Sequence, residues 1–174
     1  MESSVLDVFI LSMLERGYET TYELQRQAGL SLGSTVPALR RLEGKRLITR
    51  KETFTPGARP RHSFALTSAG KKLVRSGWKA FLEPGRADDL DAVLRIVELA
   101  RANGTDPAEI RKFLDVSGRT RLESAKTQGR TAAAEESQDY TSTRSRWNRT
   151  RLEAEGKFLA GMAKEYGKPA KRGR

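Results

Sequence analysis

Between Arg40 and Arg61 stand eight basic side chains, Arg40, Arg41, Lys45, Arg46, Arg50, Lys51, Arg59 and Arg61, against two acids, Glu43 and Glu52. Guanidinium and ammonium groups at this density bind phosphate, and an arginine with its fork free can also bond both acceptors of a guanine edge. The whole chain shares the bias: 33 Lys and Arg against 22 Asp and Glu give a formal charge of +11 over 174 residues. That balance favours an anionic partner, either nucleic acid or an acidic membrane surface. Other chemistries are thinly supplied. The chain has no Cys and one His, His62, so no disulfide, thiolate nucleophile, metal site or His-containing relay is expected. Gly29, Gly33 and Gly44 are spaced as turn and cap residues, not as a loop that cradles phosphate. Glu135 and Glu136 are adjacent and, on a helix, point to different faces, so they make no paired acid and base. No catalytic residue and no cofactor are expected. No apolar run approaches the roughly 18 residues of a membrane span, and Met1 to Ile10 carries acids in place of a basic leader. The expectation is a soluble, cytoplasmic, nucleoid-associated protein with no membrane partner.

The elements that must position the basic residues follow from local signals. Val5 to Leu14 is apolar nearly all round, as a helix at the centre of a small domain would be, and Gly17 stops it. Thr20 with Glu23 fits a capping box, so a second helix is expected over Thr21 to Ala28, with Gly29 past its end. Pro37 is tolerated best in a first turn, which places the start of the third helix near Gly33 or Ser34. Stepping about 100° per residue from Leu39 puts Val36, Leu39, Leu42 and Glu43 on one side, with Ser34, Pro37, Ala38, Arg41 and Lys45 opposite. Leu47 to Phe54 and His62 to Leu66 alternate and are rich in Thr, Ile and Phe, so they read as paired strands around the turn at Pro56, Gly57 and Pro60. Thr67 then caps a helix carrying Leu73, Val74, Trp78, Phe81 and Leu82, and Pro84 with Gly85 marks a boundary. Three helices followed by a basic hairpin are the layout of a winged helix-turn-helix.

Beyond the boundary the chain reads as helical. Asp88 or Asp89 caps a helix with Leu90, Val93, Leu94, Val97 and Ala100 on one face, ended by Asn103 and Gly104. Asp106, Pro107 and Glu109 open the next helix. Apolar residues thin out from Gly118 to Arg146, a stretch compatible with one long exposed helix, a broken helix or a partly ordered loop, and assigned here as helix. In Trp147 to Tyr166, Leu152, Leu159 and Tyr166 recur seven apart beside Phe158 and Met162, a stripe suited to packing against another helix.

These residues resemble the PadR family of bacterial winged-helix transcriptional regulators. The resemblance covers the first 82 residues through TYELQ in the second helix, GSTVPALRRLEGKRLI through the third helix and first strand, and RHSFALTSAGKKL after the wing. The DPAEI helix start and the late helix containing Trp147 and Leu152 are also similar to that family's C-terminal region. Members usually carry an aromatic just before the third-helix proline, where this chain has Val36. A phosphate contact attributed to that aromatic is therefore not carried over. The resemblance implies that a small effector or a partner loosens the grip of a dimer on its DNA.

The expected fold is thus mostly α, an α+β winged helix-turn-helix with a helical C-terminal dimerisation domain. Residues 1–83 form the DNA-binding domain, 84–167 the dimerisation and effector domain, and 168–174 a basic, disordered tail. The expected function is a homodimeric DNA-binding regulator, a repressor on a pseudo-palindromic operator in double-stranded DNA. Arg41 is expected to read bases, Ser34, Thr35 and Ala38 to make close approach at the helix start, and Lys45, Lys51, Arg59 and Arg61 to neutralise phosphates. Arg40 suits a phosphate contact or an internal pair with Glu43 equally well. Leu152, Phe158, Leu159, Met162 and Tyr166 are assigned to the dimer interface. Trp147 is held open as a surface for a planar effector, with interface packing as the plainer role. Tyr22 and Trp78 read as packing residues, and His62 as a strand residue or an occasional phosphate donor. The competing class is an adaptor whose winged helix binds an acidic protein.

Overall fold

The computed structural model describes residues 3–53, 61–83, 89–132 and 140–166. Two units divide the chain, Met1–Phe81 and Leu82–Arg174. In the first, helices α1 (Val5–Glu15), α2 (Thr21–Ala28) and α3 (Leu32–Gly44) precede strands β1 (Ile48–Thr53) and β2 (Arg61–Leu66), then helix α4 (Ser68–Ser76) and a 3₁₀ turn at Lys79–Leu82. This is a winged helix-turn-helix. Helix α1 meets α2, α3, α4 and β2, which explains its apolar circumference: Val8, Ile10 and Leu11 are completely buried. Each such side chain contributes about 1.5–3 kcal/mol when withdrawn from water.

The helix ends follow the local chemistry. The Thr20 amide donates to Glu23 Oε2 at 2.9 Å and the Glu23 amide to Thr20 Oγ1 at 3.2 Å, closing the capping box. The Thr20 hydroxyl, and then its amide, hold the Glu23 carboxyl below its usual range. Gly29 takes the left-handed conformation expected past α2 (φ 64°). Helix α3 starts earlier than Pro37 suggested. Its cap is Ser31 and its first residue Leu32, so Pro37 lies in the second turn. The amide that Pro37 lacks would have bonded the carbonyl of Gly33, and both residues sit on the exposed side, where that carbonyl is open to solvent.

The exit from α3 also departs from expectation. Gly44 is the last helical residue, and Arg46 holds the left-handed position at φ 56°. The Arg46 amide bonds the Glu43 carbonyl at 2.9 Å and the Leu47 amide bonds the Leu42 carbonyl at 3.0 Å, the paired closure that usually has glycine at its centre. Strands β1 and β2 then pair antiparallel from Ile48↔Leu66 to Thr53↔Arg61, and the Phe64 amide bonds Glu19 O at 2.8 Å, tying β2 to the α1–α2 turn. At the start of α4 there is no room for a side chain on Gly70, whose Cβ would lie 2.2 Å from Leu47 O.

The second unit contains α5 (Leu90–Ala102), α6 (Pro107–Ala132) and α7 (Tyr140–Tyr166). Asp89 caps α5 through the Ala92 amide at 2.6 Å, and Asp106 receives the Ala108 amide at 2.8 Å. Helices α6 and α7 pair along their length, and their seam is made of small and polar residues as well as apolar ones. A Cβ on Gly156 would lie 2.7 Å from Leu122 Cγ and 2.9 Å from Gly118 O. Near this crossing Arg121 Nε meets Glu155 Oε2 at 3.1 Å, with both side chains nearly buried, and Arg151 reaches the other Glu155 oxygen at 3.1 Å. From Gly118 to Ala132 the polar stretch is helical, and its packing on α7 combines Leu122 and Leu159 with the glycines and the ion pair.

The apolar stripe of α7 is divided differently from expectation. Leu159 is completely buried within the chain, beside Gly118 of α6, so it is not available to a second protomer. Leu152, Met162 and Tyr166 are half-buried, whereas Phe158 is 49% exposed. The tail at 168–174 lies outside the described residues.

Candidate nucleic-acid interface

Helix α3 packs inward through Thr35, Ala38, Leu39 and Leu42, the i, i+3, i+4, i+7 pattern of a buried face. This corrects the expected facing of two residues. Thr35 and Ala38 are wholly buried and present no side chain to a ligand. Thr35 is accommodated because its hydroxyl donates to Ser31 O at 2.7 Å, which leaves no unpaired polar atom inside. The Ser34 hydroxyl is likewise turned back on its own helix, 3.1 Å from Ser31 O.

The two adjacent arginines of α3 have different surroundings. Arg41 Nη2 donates to Asp7 Oδ1 of α1 at 2.8 Å, and the Asp7 side chain is only 3% exposed. Lys45, one turn further on, approaches the other Asp7 oxygen at 3.7 Å. Arg40 is exposed and lines a concavity of about 980 Å³ bounded by α2, α3 and the two strands. Val36, Leu39 and Phe64 contribute to its walls together with Arg26, Arg50, Glu43 and His62. Arg40 and Arg50 make no side-chain hydrogen bond or ion pair among the described residues. Lys51 is exposed on β1. Arg59 lies outside the described residues, and of Arg61 only the backbone is described, paired with Thr53.

Tyr22, read as a packing residue, is 61% exposed and borders the same concavity. Arg26 Nη1 donates to its hydroxyl at 2.8 Å, and the guanidinium carbon lies 6.0 Å from the ring centroid. Sequence reasoning passed over Tyr22 and Arg26. The signal was nonetheless present: Leu24 is the one buried residue of α2, and Tyr22 and Arg26, four apart, share a face that Leu24 does not occupy. His62 also borders the groove, its Nδ1 3.8 Å from Glu52 Oε1. Trp78 is buried. Trp147 stands 64% exposed on α7.

The groove thus has an apolar floor with an exposed tyrosine, three guanidinium groups and the carboxylates of Glu23 and Glu43 at its margin, along the side of α3 that faces α2 and the strands. Such a surface can bond phosphate oxygens and base edges. Among the described residues no cluster of acids and His could hold a metal ion, and no helix is long and apolar enough to cross a membrane.

Solved structures to which the chain is similar include two. One is PadR of Bacillus subtilis in complex with operator DNA, at 15% identity, covering 92% of this chain and 96% of that one with a TM-score of 0.39. The other is smu.1604c of Streptococcus mutans, at 19% identity, covering 93% and 98% with a TM-score of 0.37. No family model matches the chain, and no curated protein matches it. At such TM-scores neither match bears on what the chain binds.

Proposed function

We propose that the chain is a DNA-binding transcriptional regulator that presents the outer face of α3 to the major groove and the hairpin to the flanking backbone. The observation that carries this reading is the groove between α2, α3 and the strands, where Arg26, Arg40 and Arg50 surround an apolar floor. An apolar floor flanked by arginines suits a duplex better than a uniformly solvated basic face, since base edges and methyls can approach the floor while Arg26 and Arg50 meet phosphates. In this reading Tyr22, Arg26, Arg50 and Lys51 contact phosphates, joined by Arg59 and Arg61 of the hairpin. Lys45 adds a positive field beside α3, and Ser34 lies at the helix start, where backbone approaches closely.

The regulator acts as a homodimer and a repressor. Two copies carry twice +11 and would set their recognition helices in successive major grooves about 34 Å apart on a pseudo-palindromic site. Occupancy of that site blocks transcription sterically, and a small effector releases it. Exposed Trp147 is the surface offered to the second protomer or to a planar effector.

Binding of the full chain to a random duplex, followed by anisotropy across a salt series, tests the reading. Log Kd against log salt is expected to rise with a slope of about 3 or more, since each neutralised phosphate contributes about 0.9. A slope near zero overturns DNA binding in favour of an acidic protein partner.

A further inference from the structure

We propose that buried Asp7 divides the work of the two adjacent arginines of α3, holding Arg41 for the fold and leaving Arg40 as the residue that selects the base sequence. The proposal rests on the reading of the chain as a DNA-binding protein. Asp7 lies in the central helix α1, and its carboxylate is 3% exposed. A carboxylate withdrawn from water keeps its cations, because releasing one leaves an uncompensated buried charge. Both oxygens are engaged, Oδ1 by Arg41 at 2.8 Å and Oδ2 by Lys45 at 3.7 Å. Arg41 is still 45% exposed along its side chain, but one of its donors is held by α1 through Nη2, which ties the direction of its fork to the fold.

Arg40 differs in each respect. It is the next residue, about 100° around the helix, exposed, and it faces the groove. Its guanidinium has no hydrogen bond or ion pair among the described residues, so all of its donors are available. Val36, one turn earlier, and Glu43, one turn later, border the same groove. Val36 is small enough to let the duplex come close. Glu43 repels phosphate, which disfavours a backbone role for the arginine between them. A free arginine projecting from the middle of such a helix meets the O6 and N7 acceptors of guanine. We therefore assign a guanine in each half-site to Arg40, and to Asp7 a positioning role that acts through Arg41.

The test selects bound sequences from a random duplex pool with the full-length wild-type chain, then repeats the selection with R40A, R41A and D7N. R40A is expected to raise Kd for the selected duplex by about 5- to 150-fold, to change Kd for random duplex far less, and to flatten one guanine position in each half-site. R41A is expected to lower thermal stability while retaining that guanine, and R41K, which keeps a cation for Asp7, takes its place if R41A does not fold. D7N frees Arg41 and Lys45 and is expected to tighten binding to random duplex several-fold and steepen the salt slope by about one. The inference is overturned if R40A keeps the full guanine preference or if R41A removes it, and its Asp7 half is overturned if folded D7N binds random duplex as the wild type does. Arg40 has no internal contact to lose, so R40A decides the main point whether or not D7N folds. Failure of the wild type to enrich any sequence, with a flat salt response, would instead defeat the DNA reading itself.

Discussion

Arg46 carries a left-handed backbone (φ 56°) at the point where α3 gives way to β1. A side chain in that conformation costs about 1–2 kcal/mol that glycine escapes, part of which glycine returns through its freer unfolded chain. Arg46→Gly is therefore expected to stabilise the protein by about 0.5–1 kcal/mol, read as a rise of a few degrees in Tm, and a fall in Tm would show that the Arg46 side chain has a compensating contact. The same residue marks a limit of sequence reading, because Gly44 drew the cap towards itself while the closing bonds put the turn two residues later. The facing of α3 was misjudged for a similar reason. Thr35 looks like a surface residue until its hydroxyl is seen to be satisfied by Ser31 O one turn back. Arg41 looks like the outward arginine until Asp7, 34 residues earlier, is brought beneath it. Charge density around Arg40 to Arg61 was legible, but which cations are occupied internally depends on contacts that no local pattern reports.

At the scale of elements, the ends were the most readable features, since caps depend on residues three or four apart. Thr20 with Glu23, Gly29, Thr67, Asp89 and the Asp106 and Pro107 start all act where the spacing placed them. The α6–α7 pairing was less readable because glycine and an ion pair occupy places where a periodicity argument looks for leucine. The crossing at Gly118 and Gly156 makes a direct prediction. Gly156→Ala would force its Cβ against Leu122 Cγ, 2.7 Å away, and is expected to cost about 1–3 kcal/mol, the usual range for overpacking. Gly161→Ala, in the same helix with nothing within 4 Å of the added carbon, is expected to stabilise by up to about 1 kcal/mol. Urea unfolding of the two variants checks both, and equal effects would show that the close approach carries no packing constraint.

At the scale of the whole molecule, the charge of +11 was visible before any fold, and it names the sign of the partner without naming the partner. The dimer proposal acquires a definite surface. Tyr140, Trp147 and Phe158 are 75%, 64% and 49% exposed and, spaced seven and eleven apart, fall along one line of α7. Exposed apolar surface of this kind is a common mark of association. Trp147→Ala combined with Phe158→Ala is expected to convert a species of twice the 19.4 kDa chain mass to a monomer by light scattering, with helicity retained, and a persistent dimer would place the interface elsewhere. The pairing of Asp7 with Arg41 has a further consequence, for the history of such a protein. If stability is vested in position 41 and none in position 40, descendants of one ancestor can exchange the residue at 40 and acquire new target sites one substitution at a time. Duplicated copies could thus diverge in what they control while inheriting the same fold intact.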